Sequence, residues 1–381
     1  MKGRSIALVG AVLLTMLLVI GGCAGETAVP EEVPEGDGAA PSDGTPAAPE
    51  MEVFEWTYLH EHPSGSPLFN YVVDVADRIE EVSGGRLTIR VAAGGEIVPA
   101  YDIVEALKDD VAQIGWGDAA AQQKLIGPVG YLLTPTGLPG GPDPVELLAW
   151  YYIGGGEALA NESWGDWGIS VGCVPCEAEL FCHSNVKLEE LSDFKGVKFR
   201  TMGLWAEVLQ NQGAAVVTLS GSELYEAMQR GVIDAFEYCP PAQNWPMGFQ
   251  EVADYIGVPG IHSPSNISYQ LVNHDEWAGL PPDLQRIVID QFKVGCVDQF
   301  LSMWYQDGVA MDDYEAYGTE VVTLSDDAQM EIAKAGLELC QKYAAEDATF
   351  KRVFDQQTAF YKTFRRATQE VAPTPCLFDF L

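Results

Sequence analysis

The chain has 381 residues, 47% of them hydrophobic and 10% aromatic. That is too long for one typical core and too apolar for wholesale disorder, so two domains plus extensions are expected. Its 56 acids against 21 bases give a formal net charge of −35 and a pI near 4.2, a field that repels nucleic acid and anionic headgroups and excludes a polyanion-binding role.

Lys2 and Arg4 precede an apolar run over residues 6–20, short for a membrane-spanning helix and right for the core of an export signal. Ile20-Gly21-Gly22-Cys23 closes the run and resembles the lipobox of bacterial lipoproteins, which implies cleavage after residue 22 and lipid attachment at Cys23. Residues 24–50 are rich in Pro, Gly, Ala and acid, with no Lys, Arg or aromatic residue. Such a segment cannot bury enough apolar surface to order itself and is expected to act as a spacer holding the rest off the membrane. The protein is therefore expected outside the cytoplasm, in the periplasm or on the outer face of the cytoplasmic membrane, lipid-anchored.

The globular part opens with strand-like alternation at 53–58. Phe69, Val72, Val73, Ala76 and Ile79 then fall at helical spacing until Gly84-Gly85. A strand is predicted at 87–91, a helix around Ile103, Val104 and Leu107, and a strand at 111–115. The same order returns as a strand at 197–200, a helix at 205–212, a strand at 215–218, and a further helix and strand. Residues 106–116 lie over 227–237 without gaps, apolar mostly against apolar. Two related α/β domains are expected, and because open α/β sheets bind ligands beyond the carboxyl ends of their strands, Trp116 and Glu237 would face one another across a crevice. Beyond Asp326 the pattern turns helical, with one stripe at Ala333, Leu337, Cys340 and Ala344 and a second at Phe350, Val353, Phe354, Phe360 and Phe364. These helices either brace the two domains or bury their aromatic stripe against a second copy in a homodimer.

Eight cysteines, one of them assigned to lipid, do not make a disulfide framework, and Cys173-x-x-Cys176 lacks a second half-site. Buried thiols, or one local disulfide involving Cys182 or Cys239, are the ordinary reading. Gly168-Ile169-Ser170-Val171-Gly172 matches the nucleophile elbow of serine hydrolases, yet strand-like sequence, not a helix, comes after it. His60-Glu61-His62 puts two imidazoles on one strand face without a third nearby ligand, leaving His62 as a cleft candidate.

The segments Asp193-Phe194-Lys195-Gly196-Val197-Lys198-Phe199-Arg200 and Gln229-Arg230-Gly231-Val232-Ile233-Asp234-Ala235-Phe236-Glu237 resemble the solute-binding proteins of TRAP transporters, DctP type. Gly95-Glu96-Ile97-Val98-Pro99-Ala100-Tyr101 and Leu280-Pro281-Pro282-Asp283-Leu284-Gln285 fit the same family, closest in look to its 2-oxo-acid and lactate branch. The resemblance implies an α/β, two-lobed periplasmic-binding-protein-like fold with a ligand cleft between lobes and long C-terminal helices. It implies a receptor, not an enzyme, that closes on a small organic acid and hands it to the membrane subunits of an ion-driven transporter. The expected division is a signal at 1–22, lipidated Cys and linker at 23–51, lobe I at 52–170 with a return segment about 262–300, lobe II at 171–261, and a helical extension at 301–381.

The family's anchoring arginine maps onto Arg200, whose planar fork of donors suits a carboxylate. In the 2-oxo-acid branch a cation is held by a Glu at the position of Glu237, by the next residue's carbonyl, here Tyr238, and by a Gln whose place is given to Glu177. With both glutamates and a ligand carboxylate set against Arg200, Ca²⁺ would neutralise the site; if Glu177 points elsewhere, Na⁺ suffices. The ion would also chelate the acid's 2-oxo or 2-hydroxy oxygen. No organic cofactor is implied. Tyr101, Trp116 and Trp205 are candidates for the apolar wall. Two other readings remain: a binding protein for an ATP-driven importer, and a metal-dependent secreted enzyme using Glu177 and Glu237 as acid and base.

Overall fold

The computed structural model describes residues 52–371. The expected signal, Cys23 and the whole spacer lie outside them, as does Cys376.

Two mixed sheets organise the described chain. The first contains β1 (Phe54–Leu59), β2 (Leu87–Ala92), β3 (Ile114–Gly117), β4 (Ile169–Cys176) and β10 (Asn266–Val272), in the order β2-β1-β3-β10-β4. The second contains β5 (Cys182–Ser184), β6 (Lys198–Arg200), β7 (Ala215–Val217), β8 (Ala235–Phe236), β9 (Tyr255–Val258) and β11 (Glu320–Thr323), in the order β11-β9-β5-β8-β6-β7. In each sheet a parallel βα portion, β2-β1-β3 or β7-β6-β8, is flanked by an antiparallel strand, β10 or β5. The chain crosses between the sheets after β4, returns at β10 and crosses again along the helix Pro282–Tyr317. β4 runs whole in the first sheet, so the expected boundary at 170/171 falls inside a strand. The segment expected to be a purely helical extension contributes β11 to the second sheet.

Local chemistry explains the first βα unit. Ser66 caps the helix Pro67–Ser83 by accepting from the Phe69 N–H, Pro67 occupies its first turn, and Gly84 ends it at φ 66°, a backbone state that glycine adopts without a Cβ clash. The face carrying Leu68, Val72, Val75, Ala76 and Ile79 is buried. The internal similarity read from sequence has a counterpart in the turns: at aligned positions, Asp110 (φ 58°) and Gly231 (φ 67°) both take positive φ between a helix and a strand. Asp110 is held there by Asn273, whose side-chain amide donates to its carboxylate over 2.8 Å.

The C-terminal helices act as a brace. Asp326–Glu346 reaches the helix Gly203–Asn211 beside the second sheet, where Lys342 pairs with Glu207 at 3.6 Å. Ala348–Arg366 packs beside the first sheet, with Arg365 donating to Glu146 over 2.8 Å. Phe350 and Val353 are fully buried within this one chain and Phe360 packs against Gly154. Two members of the stripe, Phe350 and Val353, are thus buried because the helix folds back onto its own first lobe, while Phe354, Phe360 and Phe364 are half-buried.

Ile79 is fully buried. Its replacement by Ala is expected to cost about 2–4 kcal/mol, read as a lower denaturant midpoint with ligand affinity unchanged at zero denaturant.

Candidate functional site

Arg200 ends β6, and its guanidinium is 2% exposed between the two sheets. Three of its hydrogens are taken: Nε donates to the Leu219 carbonyl over 2.9 Å, and Nη1 donates to the Glu237 carbonyl over 2.8 Å and to Glu237 Oε1 over 3.1 Å. Nη2 donates to no group among the described residues and is the free arm. The Tyr238 ring lies 5.8 Å from the guanidinium carbon. It reaches this position because Gly221 lacks a side chain: a Cβ there would stand 2.4 Å from the ring.

Beside Arg200 three buried side chains converge. Glu179, Glu237 and His262 each place one ligand-capable atom within 4.8 Å of the others, and His262 Nε2 stands 3.3 Å from Glu179 Oε2. Oε2 of Glu237 and both carboxyl oxygens of Glu179 lack a hydrogen-bond partner. Burial pushes the Glu179 and Glu237 carboxyls up to about 7, against the pull of Arg200, and pushes His262 down to about 4, so the imidazole is neutral. Orphaned carboxyl oxygens in a buried cluster suit a hard cation, which takes oxygen ligands and removes the need for those protons.

Arg200, Glu179 and Tyr238 line a cavity of about 40 Å³ together with Glu61, His62, Tyr101, Trp116 and Asp118. The volume admits only a few water-sized bodies, so an occupant must be small. Asp118 Oδ1 accepts from the amides of Ala120 and Ala121 over 2.9 and 3.3 Å. Burial nevertheless lifts its carboxyl to about 6, and Glu61 is raised by burial and by Asp118. His62 comes from the loop after β1 and Tyr238 from the loop after β8; His62 Nδ1 and the Tyr238 hydroxyl stand 3.1 Å apart, a bond joining the two sides of the cavity.

Most predicted residues meet here: Arg200, Glu237, Tyr238, Trp116, Tyr101 and His62. Two do not. Trp205 is fully buried among Phe181, Phe194 and His262, with ring centroids 5.6–5.9 Å away, so it backs the site and forms no part of the cavity wall. Glu177 is also buried, but it lies outside the cluster around Glu237; burial first, and then Asp307 of the long helix, raise its carboxyl to about 8. The chain leaves β4 at Cys176, the alternation of faces ends there, and it is Glu179 that lies beside Glu237. Glu61, Asp118, Glu179 and His262 were missed. The only signal for Glu179 was its nearness to the assigned position, Glu61 sat unremarked between His60 and His62, and Asp118 and His262 carry no motif.

The remaining motifs resolve plainly. His60 Nδ1 accepts from the His62 amide and its Nε2 meets the Leu68 carbonyl, so both nitrogens are used and no metal pair forms. Ser170 sits inside β4, its hydroxyl 2.8 Å from that of Tyr151, with no elbow around it. Cys173, Cys176, Cys182, Cys239, Cys296 and Cys340 are all free, buried thiols.

Residues 58–347 match the family model of bacterial extracellular solute-binding proteins, family 7, DctP. The chain belongs to that family. It is 30% identical over 312 residues to a monocarboxylate 2-oxoacid-binding periplasmic protein of Nostoc sp., covering 81% of this chain and 84% of the relative. Among solved structures it resembles a TRAP periplasmic solute-binding protein of Pseudoalteromonas atlantica with bound sodium and pyruvate. The TM-score is 0.77 at 25% identity, over 84% of this chain and 97% of that one. A TRAP periplasmic solute-binding protein of Colwellia psychrerythraea, with bound calcium and pyruvate, matches in fold with TM-score 0.78 at 24% identity, over 87% and 100% of the chains. This DctP chain is thus an extracytoplasmic receptor of TRAP type, with the two-lobed fold and long C-terminal helices of those structures.

The raised carboxyls fix a sign for pH. Glu179 and Glu237 rise from an ordinary 4.5 to about 7 and Asp118 from 3.8 to about 6. The folded state therefore holds protons that the unfolded chain releases near pH 4. Without a cation, the stability these carboxyls contribute is fully present below that pH and is lost as pH rises through about 6 to 7; the buried, neutral His62, His183 and His262 act with the opposite sign below about 6.5, so thermal melts of chelator-treated protein between pH 6.5 and pH 8 are expected to show the fall, and added calcium to offset it.

Proposed function

We propose that this receptor binds a small 2-oxo or 2-hydroxy monocarboxylate together with a metal cation, in the cavity between its two sheets. The observation that carries the reading is the pairing of one free guanidinium arm with an orphaned carboxyl pair inside a closed space. In the proposal, Nη2 of Arg200 takes the acid's carboxylate. Glu179, Glu237 and the carbonyl of Tyr238 hold the cation, which supplies a positive partner for the oxygen adjacent to that carboxylate. His262, whose Nε2 stands 3.3 Å from Glu179 Oε2 without a hydrogen bond, backs the pair and is not itself a ligand, since a hard cation prefers oxygen. Trp116 and Tyr101 enclose the acid's short chain.

Charge favours a divalent ion. Two ionised glutamates and a ligand carboxylate against one guanidinium leave two negative charges, which Ca²⁺ cancels and which Na⁺ cancels only if one glutamate keeps its proton. Cation and acid are expected to help one another: while Glu237 Oε1 occupies Nη1, only Nη2 is open, and a cation that draws Glu237 away frees Nη1 for a bidentate grip. Asp118 and Glu61, on the same cavity, would accept from a hydroxyl or donate, when protonated, to a carboxylate oxygen.

The enzyme alternative relied on Glu177 and Glu237 facing one another across the cleft, and Glu177 is elsewhere. One acid bound per chain and recovered unchanged after denaturation is the expected behaviour. We further propose that Cys23 carries the lipid that tethers the receptor, that the acidic spacer gives it reach, and that membrane subunits of a TRAP transporter receive the acid.

Calorimetry with pyruvate and calcium tests the assignments. Arg200→Ala is expected to weaken acid binding by about a hundredfold or more. Glu179→Gln is expected to lower the preference for calcium over sodium by about tenfold, whereas Glu177→Gln shifts either ion by less than about threefold. Equal effects of the last two would overturn the placement of the cation.

A further inference from the structure

The helix Pro282–Tyr317 runs for 36 residues and is apolar on two opposite faces. Its inner face, with Val288, Phe292, Cys296, Met303 and Tyr314, is buried within the protein. On the other side Val294, Val297, Leu301, Trp304 and Tyr305 recur at intervals of three and four residues, which places them on one stripe, and each is between 47% and 71% exposed. Single apolar residues on a surface need no explanation, but a continuous stripe with two aromatic rings does. A helix apolar all round is expected to be covered all round.

Charge is sparse on the same stretch. In a chain of net charge −35, residues 294–311 hold two charged side chains, Asp298 and Asp307. Asp307 is buried and accepts from the Ala242 amide over 2.8 Å, and Asp298 is paired with Arg78 at 2.8 Å. The ends of the helix differ in sign. Before the stripe, Arg286 and Lys293 balance Asp283 and Asp290; after it come Asp312, Asp313 and Glu315 with no base.

We propose that a second copy of this chain covers the stripe, with the two helices antiparallel about a two-fold axis at Leu301. Reversal about that residue sets Leu301 on its own image, Val297 beside Tyr305, and Val294 over Gly308, where no atom stands within 4 Å of the place a Cβ would take. It also brings Trp304 to the Asp298–Arg78 pair, whose guanidinium suits an indole face, and sets Arg286 beside Glu315. Charge thus favours this occupant: one patch carries both complementary ends and can pair with itself. A parallel neighbour would instead stack the acids of 312–315 on one another. From Arg286 to Glu315 the helix spans about 44 Å, and a strip of that length and one helix wide covers roughly 500 Å² per copy. That is below the ~800 Å² per partner of a standard interface, so the dimer is a reversible one. None of the stripe residues lines the acid cavity.

Sedimentation of the full chain tests this, in about 0.3 M salt so that repulsion between the two negative bodies is screened beyond roughly 6 Å. A concentration-dependent dimer is expected, with Kd of about 1–100 µM. Leu301→Asp sets two carboxylates on the axis and is expected to weaken it by about fiftyfold or more, with the melting temperature held within about 2 °C because the residue is exposed. Arg286→Glu is expected to weaken it about five- to tenfold, since symmetry makes the change twice, and Glu315→Arg in the same chain is expected to restore it. A chain that stays monomeric at about 500 µM, with or without binding lipid vesicles through the stripe, would overturn the proposal. So would a dimer indifferent to Leu301→Asp, or one that the paired charge reversal fails to restore.

Discussion

One buried guanidinium governs the site. Among the described residues, Arg200 is the lone fixed cation on a cavity lined by Glu61, Asp118 and Glu179, with Glu237 paired to it, and removing that many carboxyls from water without partners is costly. Those acids can answer by keeping protons, as burial makes them do here, or by sharing a metal ion. Either answer couples what enters the cavity to its charge: in the proposed function an organic anion would take Arg200, and the acid pair beside Arg200 would take a cation before that anion is comfortable.

The fold supplies this arrangement from both sides. β6 and β8 are neighbours, so Arg200 at the end of one strand and Glu237 just past the other are brought together by a parallel register. The crossover after β4 brings Glu179 to them, and the loop before β10 brings His262. Trp116, Tyr101 and His62 come from the opposite sheet and its loops. The bond between His62 and Tyr238 closes the gap, and the brace helices, which touch both lobes, limit how the lobes can part.

How much of this could be read in the chain depends on whether local pattern or tertiary path decides. Regular βα units are local, so the strands at 54–59, 87–92 and 198–200 and the helix after the first of them were legible, as were Arg200, Glu237 and Tyr238, which sit in a motif. Glu179, not Glu177, lies beside Glu237, two residues from the position read in the chain, because an irregular segment obeys no alternation. Trp205 is aromatic and near Arg200 in sequence, but its helix turns it inward against Phe181 and Phe194. Asp118 gave no signal, since a single acid in a loop looks the same whether it faces solvent or a cavity, and Glu61 was overshadowed by the two histidines that flank it. His262 is visible only once β9 and β10 are paired into different sheets. The C-terminal stripe was legible as an apolar face, and two of its members, Phe350 and Val353, are buried against the first lobe of the same chain.

A crystal structure of the protein grown with pyruvate and calcium tests most directly whether the acid meets Arg200 beside an ion held by Glu179 and Glu237. The expected result is a carboxylate on Nη2 and a calcium ion bridging the two glutamates and the Tyr238 carbonyl. A pyruvate seated elsewhere, with Glu237 still holding Arg200 and the ion absent from that carboxyl pair, would contradict it.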